Sequence, residues 1–147
     1  MVDVGQKPET AREAVARGEV IMRPQTLRLI QANQVAKGDV LTLAQVAGVM
    51  AAKRTHELIP LCHAIPLTDV QVTCRPKTPD RVTIEAVART VGRTGVEMEA
   101  LVAVAVAALT IYDMCKATDR ELTVARVRLV AKRGGRSGEF RREGEAT

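Results

Sequence analysis

Residues 94–117 read TGVEMEALVAVAVAALTIYDMCKA, and the fold is argued outward from them. Their middle, Ala100 to Tyr112, is 13 residues without a charge, apolar on every face of a helix. A helix of that kind must be covered all round. One sheet covers one side; the other needs a second helix or a second subunit, which predicts an oligomer. Thr94 and Glu97 have capping-box spacing, so the helix is predicted to open there and to reach about Ala117. Thirteen residues fall short of the roughly 20 that span a bilayer, so no membrane partner is expected.

The flanking segments supply the sheet. Residues 13–22, 67–76, 80–91 and 121–131 alternate as strands, with the turn PKTPD between the second and third. Pro24 can open a helix at its first position, continued by TLRLIQANQV. After a Gly38-Asp39 turn, Thr42 and Gln45 form a second capping-box pattern, predicting a helix that runs until Pro60. The order strand, helix, helix, strand, strand, helix, strand predicts an α+β, ferredoxin-like antiparallel sheet with helices packed on one face. A single catalytic domain is expected over 1–147, with a flexible N-terminal arm (about 1–12) and a charged C-terminal tail (about 134–147).

Composition narrows the function. The chain has 147 residues, 46% of them hydrophobic, which suits one domain with a real core. The start MVDVGQKPETAREA lacks a basic segment followed by an apolar core, so a cytoplasmic location is expected. Three cysteines, at 62, 74 and 115, form no CxxC and fit reduced thiols. A net charge of +5 and a pI of about 9.5 suggest an anionic partner. One Tyr, one Phe and no Trp leave no stacking platform for single-stranded nucleic acid.

Four clusters carry chemistry. The first, KRTHELIPLCH at 53–63, holds both histidines. No HxH, HExxH or CxxC is present, which speaks against a metal. His56 reads as a helix-terminal cation. His63, in a proline-fixed bend, suits proton transfer or phosphate holding. Cys62 reads as a small buried thiol. The second, IYDMCKA at 111–117, places Asp113 and Lys116 three apart on one helical face. They are either a surface ion pair or a half-buried pair whose shifted pKa values let them trade protons. The third is GVEMEA at 95–100, where Glu97 reads as a cap or as a site residue. The fourth, AKRGGRSG at 131–138, is either a mobile loop or a phosphate cradle that is not a P-loop.

Taken in order, MVDV, KGDV at 37–40, KRTHELIPLCH, TGVEMEAL, LTIYDMCKA and KRGGRSG closely resemble the cyclic pyranopterin monophosphate synthase family, the C protein of molybdenum cofactor biosynthesis. The resemblance covers nearly the whole chain. One departure is Ala64, where the family often has proline after the histidine. The resemblance implies a lyase-type enzyme that converts 3′,8-cyclo-7,8-dihydro-GTP, a small-molecule substrate, to cyclic pyranopterin monophosphate with loss of pyrophosphate. It implies no metal or redox cofactor, and a homo-hexamer built as a trimer of dimers with sites at subunit interfaces. It also implies that Asp113 is the catalytic acid/base and Lys116 a second proton carrier or charge stabiliser. Leu61, Cys62, His63, Met98 and Glu99 match its substrate-binding segments, with Glu97 beside them. Lys37, Lys53, Arg12 and Lys132 would hold the triphosphate or assist the rearrangement.

Geometry adds to this. Glu97 and Asp113 are 16 residues apart on one predicted helix, roughly 24 Å at about 1.5 Å per residue. If both clusters serve one site, two chains must build it. The competing expectations are a nucleic-acid-binding ferredoxin-like module and an oligomeric scaffold whose clusters are structural.

Overall fold

The computed structural model describes residues 1–145. Strand β1 (Thr10–Ile21) leads into helices α1 (Pro24–Gln31), α2 (Val40–Ala52) and the single turn α3 (Thr55–Leu58). Strands β2 (Leu67–Lys77) and β3 (Arg81–Gly92) form a hairpin. Helix α4 (Glu97–Cys115), β4 (Thr123–Arg133) and the short β5 (Phe140–Arg141) complete the chain. The sheet order is β2-β3-β1-β4-β5, every neighbouring pair antiparallel. The first four strands with α2 and α4 give the expected α+β, ferredoxin-like order; β5 extends one edge.

The α4 stretch folds as its composition demands. It packs on β1, β3 and β4, and α2 packs both on it and on β2. Ala14 and Ala16 of β1 and Ala86 and Ala88 of β3, all at most 1% exposed, make a smooth floor for it. Gly18 continues that floor: a Cβ there would lie 2.7 Å from Val104 Cγ1. Gly48 does the same for α2, where a Cβ would lie 2.9 Å from the carbonyl oxygen of Ala103. By length and composition α4 could cross a membrane, but more than half of it is buried inside this chain, as befits a core helix. Its cover is incomplete. Leu109 is exposed, as are Leu43, Val46 and Met50 along one stripe of α2.

Several expected boundaries move, each for a local reason. β1 begins at Thr10, before residue 13, because its first residues pair with β3 up to Gly92. α1 ends at Gln31 where Asn33 turns left-handed (φ 52°) and the Gln34 N–H donates back to the Leu29 carbonyl, a Schellman closure. The Thr42–Gln45 capping box does not form. Asp39 caps instead, accepting from the Thr42 N–H at 3.0 Å, and Gln45 accepts from the Cys74 N–H on β2. The helix expected to reach Pro60 breaks after Ala52. The Thr55 hydroxyl donates to the carbonyl of Ala52 at 3.0 Å, satisfying an end that would otherwise be open. β5 was not expected; it pairs Phe140 and Arg141 with the end of β4. Residues 146 and 147 of the expected tail lie outside the described residues.

The sheet's other face carries charge. Asp69, Arg89, Glu13 and Arg133 form a ladder of ion pairs across β2, β3, β1 and β4. Arg17 bridges Glu85 and Glu145 in a second row.

Candidate active site

Polar side chains gather at both ends of α4. At its C-terminal end Lys37, from the loop before α2, donates to Asp113 Oδ2 at 2.7 Å, and Lys116 Nζ lies 2.7 Å from Oδ1. All three side chains are about half exposed. The hydrogen bond from Lys116, then that from Lys37, holds the Asp113 carboxyl down at about 2. The same contact raises Lys116. Both shifts favour the charged forms. The pair is therefore not the half-buried, easily neutralised couple that was one of its two expected forms. At rest it is an exposed carboxylate clamped between two ammonium groups.

The N-terminal end holds the other group. Lys132 stands opposite Ala14 in the β4–β1 register and so shares the helix-facing side of the sheet. Its ammonium group donates to Glu97 Oε1 at 2.9 Å and to the Ser137 hydroxyl at 3.1 Å. Thr94 and Glu97 do not form the expected capping box. Val96 occupies the cap position without a side-chain bond, because the Glu97 carboxylate makes the stronger charge-assisted bond to Lys132. Arg12, on the same side of β1, donates to the carbonyls of Gly92 and Arg93 at 2.9 and 3.1 Å. The Gly134-Gly135 turn lies against it. Both residues have positive φ, and a Cβ on Gly134 would come within 2.1 Å of the Ala11 carbonyl oxygen. A cavity of about 200 Å³ opens between them, lined among others by Lys7, Arg12, Arg93, Glu97, Lys132 and Arg133. Sequence reading missed Lys7 and Arg93 there, although Lys7 lies three residues after MVDV and Arg93 directly before TGVEMEAL.

Glu99, one helical turn from the cap, is 3% exposed, and its Oε2 has no hydrogen-bond partner among the described residues. Burial raises its pKa first, and the like charge of Glu97 adds to that; the nearby His56 offsets part. Burial, then the field of Glu99, likewise raises the half-buried Cys62, which stays a thiol and does not behave as an activated nucleophile. These electrostatic couplings bring Cys62 and His56 to the same end of α4 as Glu97 and Glu99. His56 is exposed within α3, not at the end of a long helix as expected. Met98 and His63 are half-buried, and Leu61 is 71% exposed. Lys53 caps the C-terminus of α2, exposed and without an ion pair. The structure thus joins Arg12, Lys132 and Glu97 in one place and Lys37, Asp113 and Lys116 in another. Lys37 belongs with the carboxylate and not with Arg12 and Lys132, with which the resemblance grouped it.

The MoaC family model matches residues 1–135. The chain belongs to the MoaC family. Its relatives within that family include a cyclic pyranopterin monophosphate synthase of Thermomicrobium roseum, 63% identical over 144 residues, 97% of this chain and 87% of the relative. A synthase of the same name from Pelotomaculum thermopropionicum is 63% identical across 99% of this chain and 86% of its own length. A third, from a Roseiflexus species, is 63% identical across 95% and 89%. Both polar groups on α4 fall inside the span matched to the MoaC family.

Proposed function

We propose that this MoaC-family chain is a cyclic pyranopterin monophosphate synthase, acting in molybdenum cofactor biosynthesis. It takes 3′,8-cyclo-7,8-dihydro-GTP, a small GTP-derived substrate, to cyclic pyranopterin monophosphate and pyrophosphate. The observation that carries this reading is the pairing on one helix of a lysine-clamped carboxylate at one end with a cation-lined cavity at the other. The names and 63% identity of the relatives support it.

The charge states suggest a division of labour. Asp113, an anion down to about pH 2, accepts a proton from the substrate. Lys116, held protonated by that carboxylate, returns one or offsets negative charge as it develops on oxygen. Lys37 keeps the carboxylate in place. At the other end Arg12 and Lys132 take the phosphates, with Lys53 as a further cation. Glu97, Met98 and Glu99, with Leu61, Cys62 and His63, surround the ring system. No step in this scheme needs a thiolate.

On this reading the working unit is a homo-oligomer, a hexamer arranged as a trimer of dimers, and it acts in the cytoplasm. The exposed stripe of Leu43, Val46 and Met50 together with Leu109 supports burial against another subunit. The length of α4 supports sites shared between chains. The direct test is to incubate the protein with the cyclised GTP intermediate and assay pyrophosphate and pterin product. Product formation is expected. None from folded, oligomeric protein would overturn the reading.

A further inference from the structure

The cation-lined cavity at the start of α4 has a neighbour. Lys7, Pro8, Thr10, Arg12, Gly135, Arg136 and Ser137 enclose about 300 Å³ between the N-terminal arm, the first residues of β1 and the glycine loop after β4. That is roughly ten times the share of liquid volume taken by one water, about 30 Å³. The two cavities share Lys7, Arg12 and Ser137, but their charges differ. In the first, Glu97 neutralises Lys132 and Glu13 neutralises Arg133. In the second, three cations and no carboxylate line the wall, and none of Lys7, Arg12 and Arg136 makes an ion pair among the described residues. Arg12 is held in place by two carbonyls, so its charge is fixed but not cancelled. The Thr10 hydroxyl is buried there without a hydrogen-bond partner among the described residues. Uncompensated cations and an orphan hydroxyl fit a small, highly charged oxyanion.

We propose that this arm cavity is the pyrophosphate subsite, and that Lys7 and Arg136 hold the β- and γ-phosphates of the substrate and then the released pyrophosphate. The inference rests on the proposed function and adds to it which residues grip the leaving group. In the step it serves, a substrate hydroxyl oxygen bonds to the α-phosphorus and gives its proton to the Asp113 carboxylate. The bond from the α-phosphorus to the bridging oxygen breaks, and that oxygen leaves with the electron pair as pyrophosphate. Three fixed positive charges stabilise the leaving group. The first cavity, already half neutralised, is left for the α-phosphate and sugar.

Titration calorimetry with inorganic pyrophosphate tests this on the intact chain. Pyrophosphate is expected to bind at least about tenfold more tightly than inorganic phosphate. Lys7→Ala and Arg136→Ala should each weaken it by about tenfold or more, as the loss of a charge-assisted contact does. Arg28→Ala, an exposed cation remote from the cavity, should stay within about twofold of the parent. In turnover, the two cavity variants should raise KM and relieve product inhibition by pyrophosphate. Parental pyrophosphate affinity in both would overturn the proposal, as would an equal loss in Arg28→Ala. The titration needs no turnover. Specific pyrophosphate loss in the variants of a parent without synthase activity would uphold the subsite and remove the assigned reaction.

Discussion

Mixing two dead variants tests the shared site more sharply than either variant alone. Helix α4 runs unbroken from Glu97 to Cys115, so the 16 positions between Glu97 and Asp113 hold their side chains roughly 24 Å apart, at about 1.5 Å per residue. A group acts on a reacting atom only from hydrogen-bond reach, about 3 Å, so one bound nucleotide cannot use both ends of one α4. If the site joins Glu97 of one chain to Asp113 of another, Glu97→Ala and Asp113→Asn damage different halves. Alone, each variant is expected at about a hundredth of parental turnover or below. Unfolded together and refolded at equal ratio, about half of all two-fold pairs are hybrids. Each hybrid carries one intact and one doubly damaged site, so about a quarter of parental turnover should return. The assay is pyrophosphate release against mixing ratio, with sedimentation confirming the same assembly throughout. Turnover that never exceeds the sum of the separate variants, at any ratio, would refute the two-chain geometry.

Three further outcomes follow from single side chains. Asp113→Asn keeps the hydrogen-bonding shape but cannot accept a proton, so turnover should fall by about 10²–10⁴ with an unchanged melting curve at pH 7; near-parental turnover would remove the acid/base assignment. Glu99→Gln should stabilise the chain at neutral pH. A carboxyl whose folded pKa is raised costs folding free energy above its ordinary value of 4.5 and nothing well below it. Relief of about 1 kcal/mol, the low end for a buried group without a partner, would raise Tm by roughly 2–4 °C at pH 7, at fixed protein concentration, and the gain should vanish by about pH 3.5. An equal gain at both pH values would mean that its charge is not the cause. Ile111→Ala, at a position with 0% exposure beneath the sheet and α2, should cost about 2–5 kcal/mol in denaturant unfolding. A cost under 1 kcal/mol would show that α4 is not packed as described.

The sequence carried the fold in its periods and hid the parts set by single polar contacts. The all-apolar face pattern of Ala100 to Tyr112 and the period-2 strands around it were enough for the sheet and its helices, because burial of apolar area is summed over many residues and survives local errors. Helix ends rest on one or two hydrogen bonds, and there the patterns misled. Thr42 with Gln45, and Thr94 with Glu97, have capping-box spacing, yet Asp39 was the better acceptor for the first helix and Lys132 the better partner for Glu97. β5 has two residues and no period to find.

The candidate site shows the same split, with a consequence for what a sequence can reveal. Asp113 and Lys116 were legible because they sit three apart on one helix; Lys37 joins them from 76 residues away, a distance no local pattern spans. Arg12 and Lys132 meet only because β1 and β4 pair in one register, which sets Lys132 opposite Ala14, on the side of the sheet that Arg12 shares. Lys7 and Arg136 come from segments with no periodicity at all, one an arm and one a glycine loop. Their common property, a positive charge without a nearby carboxylate, exists only in three dimensions. The 24 Å between the ends of α4 was readable from counting alone, since helix rise is fixed by the backbone and not by context. That fixed length separates two groups that the proposed chemistry needs together, so the reaction, if this chain performs it, requires a second copy to close the gap.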